Sequence, residues 1–299
     1  MIHITVPAST SNVGPGFDSL GCAMALYNRF AFEELPADEY RIRCADPRFA
    51  NRDNLTVVGY EAAMRYMGLP AQGLAAEIQA EVPVARGLGS SSTLIVAGAM
   101  AAAKLHGDKL TKAELLDICT QLEGHPDNLA PTIYGGFTAA LLHEGKPYAV
   151  NYPLHESLRF LALIPDFETS TQEARQSLPQ TTTYQDAVFN ISHIAVLLRA
   201  LELGDAALIR LSLNDTLHQP YRKQLIHGYD TVAQRASDCG AIAFFISGSG
   251  STCMCLYSEA SFLQRIAAAV APLPHAWRAL PLRVDHTGAK EDRGCKAAI

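Results

Sequence analysis

The most informative stretch of this chain is PVARGLGSSST, residues 83–93. Its glycines let the backbone turn tightly and approach a ligand closely, and its serines stand directly before an Ala-rich, helix-forming run at 94–105. Backbone N–H groups at a helix start lack intrahelical acceptors and favour a bound anion. The stretch therefore predicts a phosphate-binding loop, with an ordinary serine-capped helix as the alternative. It is neither a Walker A loop nor a G-x-G-x-x-G dinucleotide loop.

Two further glycine-rich loops accompany it. PASTSNVGPGFDSLG, residues 7–21, follows a strand pattern, and SGSGST, residues 247–252, lies between two apolar strand patterns. In the first of these, Asn12 and Asp18 suit a bound ammonium group, or they satisfy only the loop's own backbone. The loop at 247–252 is either a plain hairpin tip or a second approach to a phosphate.

Composition narrows the class of protein. With 299 residues, 48% hydrophobic and 18% charged, the chain can bury a sizeable core and is expected to form two domains or one large one. The net charge is −6 and no Lys/Arg run exceeds two residues, so neither a nucleic-acid nor a membrane partner is expected. The seven cysteines include no C-x-x-C pair. They predict free thiols, and with no signal-peptide pattern at the start they favour a cytoplasmic protein.

Strand and helix patterns alternate along the chain, which predicts an α+β protein. Strands are predicted at 2–7, 26–33, 74–80, 160–164, 241–246 and 253–257. Helices are predicted at 94–105, 112–122 with Thr111 as N-cap, 185–203, 206–213 and 228–239. The turn-rich stretch 151–157 places a domain boundary there, between an N-terminal domain at 1–155 and a C-terminal domain at 156–299.

The three loops occur in the order found in the GHMP kinases, which the chain resembles over about residues 3–257. Four segments are similar to the homoserine kinase family in particular: SNVGPGFDSLG at 11–21; EGHPDN at 123–128 with Ala130-Pro131 and Gly135-Gly136; STQEAR at 170–175; and QPYR at 219–222. The resemblance implies a two-domain GHMP kinase fold. Its ATP-binding N-terminal domain would resemble ribosomal protein S5 domain 2, with a left-handed βαβ crossover, and its C-terminal domain would be ferredoxin-like. It also implies an active site between the domains and a homodimer.

The same resemblance implies the activity and the cofactors. ATP, with Mg²⁺ bound by Ser91 and Glu123, would phosphorylate the side-chain hydroxyl of L-homoserine to O-phospho-L-homoserine, in threonine biosynthesis. Asn54 would lie near the adenine. The residues implied around the triphosphate are Pro83, Val84, Ala85, Arg86, Gly87, Leu88, Gly89, Ser90, Ser91, Ser92 and Thr93.

Recognition of the amino acid is implied in the same way. Asn12, Asp18, His125 and Asp127 would contact homoserine, with Asp18 on its ammonium group. Arg175 and Arg222 would hold its carboxylate, and Thr171 would lie near the reacting hydroxyl. The predicted catalytic set is Glu123, Asp127, Thr171 and Arg175. No side chain stands out as a strong base, and Asp127 is the candidate if one is used.

Alternatives remain open on the sequence. The charges of Asp18, Arg175 and Arg222 suit a zwitterion, whereas mevalonate, the substrate of a related kinase, carries a carboxylate and no ammonium group. A kinase for another small hydroxyl metabolite is one alternative. A non-catalytic nucleotide-binding sensor is the other, and the presence of Ser91, Glu123 and Asp127 argues against it. For single residues, Asn54 also suits a helix cap, and Glu123 also suits a solvated helix end.

Overall fold

A computed structural model describes residues 1–70 and 72–292. Its strands are β1 Ile2–Ser11, β2 Leu20–Leu35, β3 Tyr40–Arg43, β4 Gly73–Ala80, β5 Phe137–His143, β6 Lys146–Tyr152, β7 Arg159–Ile164, β8 Ala243–Ile246, β9 Cys253–Tyr257, β10 Arg278–Leu282 and β11 Lys290–Glu291. Its helices are α1 Leu55–Tyr66, α2 Ser90–Leu105, α3 Lys112–Glu123, α4 Leu129–Tyr134, α5 Thr171–Gln176, α6 Tyr184–Leu203, α7 Ala206–Ser212, α8 Gln219–Arg222, α9 Tyr229–Asp238 and α10 Phe262–Val270. None of the helices in the described ranges is both long enough and apolar enough to cross a membrane.

In the part of the chain that the structure describes, the first sheet has seven strands and is built around the long strand β2. Its path is β11-β1-β2-β4-β3, and β5 pairs with both β2 and β6. Residues 20–22 at the start of β2 pair with β5, whereas residues 28–35 pair with β4. The parallel pair β3–β4 is joined through α1, as a parallel connection requires a crossover. The left-handed sense of that crossover stays a prediction.

Close contact between α1 and α2 depends on two glycines. A Cβ atom at Gly98 would lie 1.9 Å from the carbonyl oxygen of Thr56, and one at Gly59 would lie 2.2 Å from that of Ile95. The two helices therefore approach backbone to backbone, and they share a buried cluster with Phe30 of β2. This packing fixes the position of α2 against α1.

The second sheet has the order β10-β7-β9-β8, and all its pairs are antiparallel. Numbered within this half of the chain, the order is 4-1-3-2, and helices follow the first and third strands, as in a ferredoxin-like fold. The predicted fold class is confirmed.

After the exposed Arg159, strand β7 is apolar because both of its faces are buried. Leu161 and Leu163 pack with α9 and α10. Phe160 and Ala162 point to the other face and share a cluster with Leu20 of β2. The two sheets are therefore joined through a continuous apolar core, and the site loops lie at their junction.

The chain finally returns to the first sheet. Ala25 N donates to the carbonyl oxygen of Arg283 (2.8 Å), and β11 pairs with β1. The predicted boundary at 155/156 falls between β6 and β7, and the division at that point stays a prediction.

The cysteines of the described residues are free thiols. Five of them are buried, and burial raises the pKa of the Cys22 and Cys119 thiols. Cys295 lies outside the described residues.

Candidate active site

A cleft of about 340 Å³ lies where the three glycine-rich loops meet. We call residues 7–21 the first loop, 83–93 the second loop and 247–252 the third loop. The cleft is lined by Asn12, Leu55, Ala85, Arg86, Gly87, Gly89, Ser90, Ser91, Ser92, Ile95, Leu122, Glu123, His125, Asn128, Thr171, Arg175, Arg222, Gly248 and Ser249.

The third loop joins the other two and is not a free hairpin tip. The Ser247 hydroxyl lies 2.6 Å from the carbonyl oxygen of Gly87 and 2.7 Å from Oγ1 of Thr10. The amide of Gly248 donates to the carbonyl oxygen of Ser11 (2.9 Å). These contacts connect both domains at the cleft.

The second loop leads directly into α2. Gly89 precedes the helix with a φ of 68°, in the left-handed region that glycine adopts without strain. The helix begins at Ser90, earlier than predicted, because the serines form its first turn. The amide of Thr93 donates to the carbonyl oxygen of Gly89 (3.0 Å). The amides before it have no acceptor within the helix, so this turn can bind phosphate oxygens.

Glu123 brings a carboxylate to the same helix start. It ends α3, and its Oε1 and Oε2 accept hydrogen bonds from the hydroxyls of Ser91 (2.7 Å) and Ser92 (2.8 Å). Burial raises the pKa of Glu123, against the opposing effect of the two hydroxyls. Carboxylate and hydroxyl oxygens are the ligands that Mg²⁺ accepts in proteins, so the residues predicted to bind the metal lie together.

His125 and Asp127 form a close pair between α3 and α4. Their Nδ1 and Oδ1 atoms are 2.6 Å apart, and Asp127 is fully buried. Burial opposes ionisation of both groups, but the pair interaction outweighs it: the pKa of His125 is raised and the pKa of Asp127 is lowered. Among the described residues, Oδ2 of Asp127 has no hydrogen-bond partner.

Asp18 is held by its own loop and is paired with Arg175, which lines the cleft. Its amide donates to Oδ1 of Asn12 (2.8 Å), and both residues have positive φ angles, 51° for Asp18 and 57° for Asn12. Its carboxylate accepts two hydrogen bonds from Arg175, at 2.8 and 3.1 Å. The residues predicted to bind the two charged groups of the substrate thus pair with each other here.

Arg222 is the opposite case, a buried cation without a carboxylate. It is 2% exposed, and it donates to the carbonyl oxygens of Gly248 (2.9 Å) and Ala174 (3.4 Å). Within the described ranges, no acidic side chain lies within ion-pair distance of it. Burial lowers the pKa of Arg222 to about 10, with Asp18 opposing this effect, so the guanidinium stays charged at neutral pH.

Thr171 and Asn54 differ in their relation to the cleft. Thr171 begins α5 behind the N-cap Ser170, and its Oγ1 lies 3.3 Å from Oγ of Ser249 in the third loop. Asn54 is 4% exposed and caps α1: its Oδ1 accepts from the amide of Thr56 (2.9 Å). The next residue, Leu55, lines the cleft. A role of Asn54 at the adenine stays a prediction.

Of the second-loop residues predicted to surround the triphosphate, some line the cleft and others do not. Pro83, Val84, Leu88 and Thr93 are outside the cleft lining, whereas their neighbours in the loop line it. Leu88 is fully buried in the core, and Thr93 accepts a hydrogen bond from Nδ2 of Asn28 (2.7 Å). Leu88 and Thr93 therefore support the loop from the protein core.

Several residues at the site were not predicted. Asn128 donates to Oγ of Ser11 (2.9 Å) and lines the cleft. In the C-terminal half, Asn190 donates to the carbonyl oxygen of Pro15 (3.2 Å), and Nε2 of His218 lies 2.9 Å from that of Gly14. Asn128 belongs to the segment at 123–128, so the motif could have indicated it. Asn190 and His218 lie outside the segments that resemble the family, and no motif indicated them.

Comparison with known proteins agrees with this architecture. The GHMP kinases N terminal domain matches residues 54–136, and the GHMP kinases C terminal domain matches 197–273. Homoserine kinase of Clostridium botulinum (strain ATCC 19397 / Type A) is 37% identical over 290 residues, covering 96% of this chain and 97% of that protein. Homoserine kinase of Clostridium beijerinckii (strain ATCC 51743 / NCIMB 8052) is 37% identical over 99% of this chain and 100% of its own length.

Solved structures give the same result. Homoserine kinase from Cytophaga hutchinsonii ATCC 33406 superposes with a TM-score of 0.88 at 28% identity, covering 97% of each chain. Mevalonate kinase of L. major has a TM-score of 0.73 at 16% identity, with 95% and 96% coverage, which shows the fold alone. Both halves of this chain therefore have the fold of the GHMP kinases. At this identity and coverage, the chain belongs to the homoserine kinase family of that superfamily.

Proposed function

We propose that this chain transfers the γ-phosphoryl group of ATP to the side-chain hydroxyl of L-homoserine and forms O-phospho-L-homoserine, a step of threonine biosynthesis. One observation carries the proposal. The cleft that contains the serine-rich start of α2 is also lined by Arg175 and Arg222, and Asp18 pairs with Arg175 there. The names of the relatives at 37% identity support the same substrate.

The charged groups suit a zwitterion. The carboxylate of homoserine would bind the guanidiniums of Arg175 and Arg222, because a planar fork matches a carboxylate. Its ammonium group would take the place of Arg175 beside Asp18. A ligand with only one charge would leave one of these groups without its partner, which costs about 1–3 kcal/mol or more for a charged group.

Phosphoryl transfer requires mainly positioning and neutralisation of charge. The serine amides at the start of α2 would hold phosphate oxygens of ATP. We propose that Ser91 and Glu123 bind Mg²⁺, which fits their hard oxygen ligands and the 2.7 Å contact between them. Bound Mg²⁺ would neutralise phosphate charge.

The acceptor hydroxyl would lie near Thr171. As its oxygen forms the new bond to phosphorus, the bond between phosphorus and the leaving oxygen of ADP breaks. Asp127 is a weak base because the pair with His125 lowers its pKa. We therefore propose that no strong side-chain base is used: the hydroxyl proton passes to an oxygen of the phosphoryl group being transferred, while Asp127 and His125 orient the substrate.

The test is ADP release by the purified protein with ATP and Mg²⁺, together with ³¹P NMR of the product. The acceptors are L-homoserine, D-homoserine, 4-hydroxybutyrate without the ammonium group, 3-amino-1-propanol without the carboxylate, and mevalonate. We expect kcat/KM for L-homoserine to exceed that of each singly charged analogue by about 100-fold or more, since each analogue leaves a charged side chain of the site without its partner. Turnover of mevalonate alone would assign a different kinase. ATP binding with no turnover of any acceptor would assign the sensor.

We also propose that the protein is a homodimer. Exposed apolar side chains of α6 at helical spacing support this: Tyr184, Val188 and Ile191. Sedimentation equilibrium measures it. We also propose a cytoplasmic location, which the free thiols of the described cysteines support.

A further inference from the structure

We propose that Phe17 is a positioning residue, whose ring holds the guanidiniums of Arg175 and Arg222 in the orientation that receives the substrate carboxylate. The inference rests on the proposed function, because it concerns recognition of the same amino acid. Phe17 lies in the first loop, directly before Asp18, and is partly buried.

The ring of Phe17 contacts both arginines. The central carbon of the Arg222 guanidinium lies 4.9 Å from the ring centroid, and that of Arg175 lies 5.8 Å from it. Both distances are within the range in which a cation is attracted to the face of an aromatic ring. One side chain thus contacts two cations that come from different helices, α5 and α8.

Arg222 needs such a contact more than Arg175 does. Arg175 already has the carboxylate of Asp18. Arg222 is 2% exposed, and within residues 1–70 and 72–292 its hydrogen-bond acceptors are carbonyl oxygens. A buried cation is costly unless it is compensated. An acidic side chain in the place of Phe17 would compensate it but would compete with the substrate for the same charge. An aromatic face stabilises the guanidinium and leaves its charge available to a carboxylate.

Phe17 is in turn held by His218. The two rings are stacked, with centroids 5.4 Å apart and 23° between their planes. His218 is fully buried, and its Nε2 lies within hydrogen-bond distance of the carbonyl oxygen of Gly14, 2.9 Å away. Its backbone amide donates to Oδ2 of Asp215 (2.9 Å). Burial lowers the pKa of His218, with Asp215 opposing, so the ring stays neutral and adds no positive charge beside Arg222.

The experiment compares variants at position 17 that separate ring electronics from ring volume. Phe17→Leu removes the π-face, Phe17→Tyr and Phe17→Trp keep it, and incorporation of mono-, tri- and pentafluorophenylalanine weakens it at nearly constant shape. We expect KM for L-homoserine to rise about tenfold in Phe17→Leu and stepwise with fluorine number. We expect kcat and KM for ATP to stay within about twofold, and Tyr and Trp to restore binding. Phe189→Leu is the matched control, because Phe189 also stacks on a histidine, His193 of α6, and is not among the residues that line the cleft.

A flat KM across the fluorinated series would overturn the proposal, even if Phe17→Leu were impaired, because it would reduce Phe17 to packing. A second readout does not depend on the substrate. In the ligand-free protein, the Nε–H resonance of Arg222, assigned with Arg222→Lys, should carry a ring-current shift that disappears in Phe17→Leu. Retention of the same shift would also overturn the proposal. If this shift disappears but wild type does not phosphorylate homoserine, the contact between Phe17 and Arg222 stands and the proposed substrate fails.

Discussion

Asp18 and Arg175 form a bidentate ion pair between the first loop and α5, with N–O distances of 2.8 and 3.1 Å. The pair matters because both residues are expected to bind substrate. Without ligand, the charges of Asp18 and Arg175 compensate each other, and Asp18 pairs with Arg175 rather than with Arg222. A zwitterionic amino acid can replace this pair charge for charge, whereas a singly charged ligand cannot.

The first prediction concerns Asp18→Asn. The change removes the charge expected to bind ammonium and keeps the shape of the side chain. We expect KM for L-homoserine to rise about 30-fold or more, because a charge-assisted contact is lost, while KM for ATP stays within about twofold. Steady-state kinetics measure both constants. Asp238→Asn is the control, because Asp238 is an exposed aspartate at the end of α9, and its Oδ1 accepts a hydrogen bond from Nε2 of Gln234 (2.8 Å). Equal increases in both constants would contradict the ammonium role.

The second prediction concerns Glu123→Gln. The amide keeps the size and one acceptor for the hydroxyls of Ser91 and Ser92, but it removes the charge expected to bind Mg²⁺. We expect kcat to fall by about two orders of magnitude and the Mg²⁺ concentration for half-maximal activity to rise. Mg²⁺ titration of the rate measures both. The exposed Glu156→Gln serves as the control. An unchanged kcat and Mg²⁺ requirement would show that the metal assignment is wrong.

Regular elements with a clear period or cap were predictable from the sequence. The helix predicted at 112–122 is Lys112–Glu123, and Thr111 forms a capping box with Glu114. The strand at 253–257 has its predicted bounds. Helix α1 was missed, although its N-cap Asn54 was noticed. Its sequence contains neighbouring valines and Gly59, and it is stabilised by packing on α2, at a contact that a local pattern does not encode.

The site was predictable as a set of residues but not as a set of contacts. The motifs predicted Glu123, His125 and Arg175 as site residues, and all three line the cleft. The pair between Asp18 and Arg175 joins residues 157 positions apart, and no period or spacing reports on such a contact. Helix α2 begins earlier than its apolar pattern, because the serine turn has no apolar face and is helical only through its place after Gly89.

The third prediction tests the contact between the second and third loops. Gly87 has a φ of 72°, and a Cβ atom there would lie 2.1 Å from the carbonyl oxygen of Ser247. We expect Gly87→Ala to raise KM for ATP about tenfold or more and to lower the thermal midpoint, because the loops must separate. The two quantities are measured by kinetics and by thermal unfolding.

Gly68→Ala is a matched control for that change. Gly68 has a similar φ of 67°, and no atom of the described residues lies within 4 Å of its added Cβ atom. It therefore reports the cost of a left-handed residue alone, about 1 kcal/mol. If the two variants lose the same stability and bind ATP equally well, the collision with Ser247 has no role.

The fourth prediction concerns the dependence of stability on pH. The pKa of His125 is raised in the folded protein, because the interaction with Asp127 outweighs burial. A raised pKa means that the folded state binds the proton more tightly than the unfolded state. The pair therefore stabilises the fold fully below the unfolded pKa of about 6.5, and this contribution is lost as the pH rises through the folded pKa. Asp127, with its lowered pKa, stays ionised over that range.

His125→Gln should thus destabilise the protein most near pH 6. Urea unfolding of wild type and variant from pH 6 to 9 measures the difference in free energy of unfolding. We expect that difference to shrink as the pH rises, since wild type then loses the proton that the variant never binds. His143→Gln, at an exposed histidine of β5, serves as the control. A difference that is constant or grows with pH would mean that His125 is neutral in the folded protein, and that its 2.6 Å contact with Asp127 is a hydrogen bond between an imidazole N–H and a carboxylate without charge on the ring.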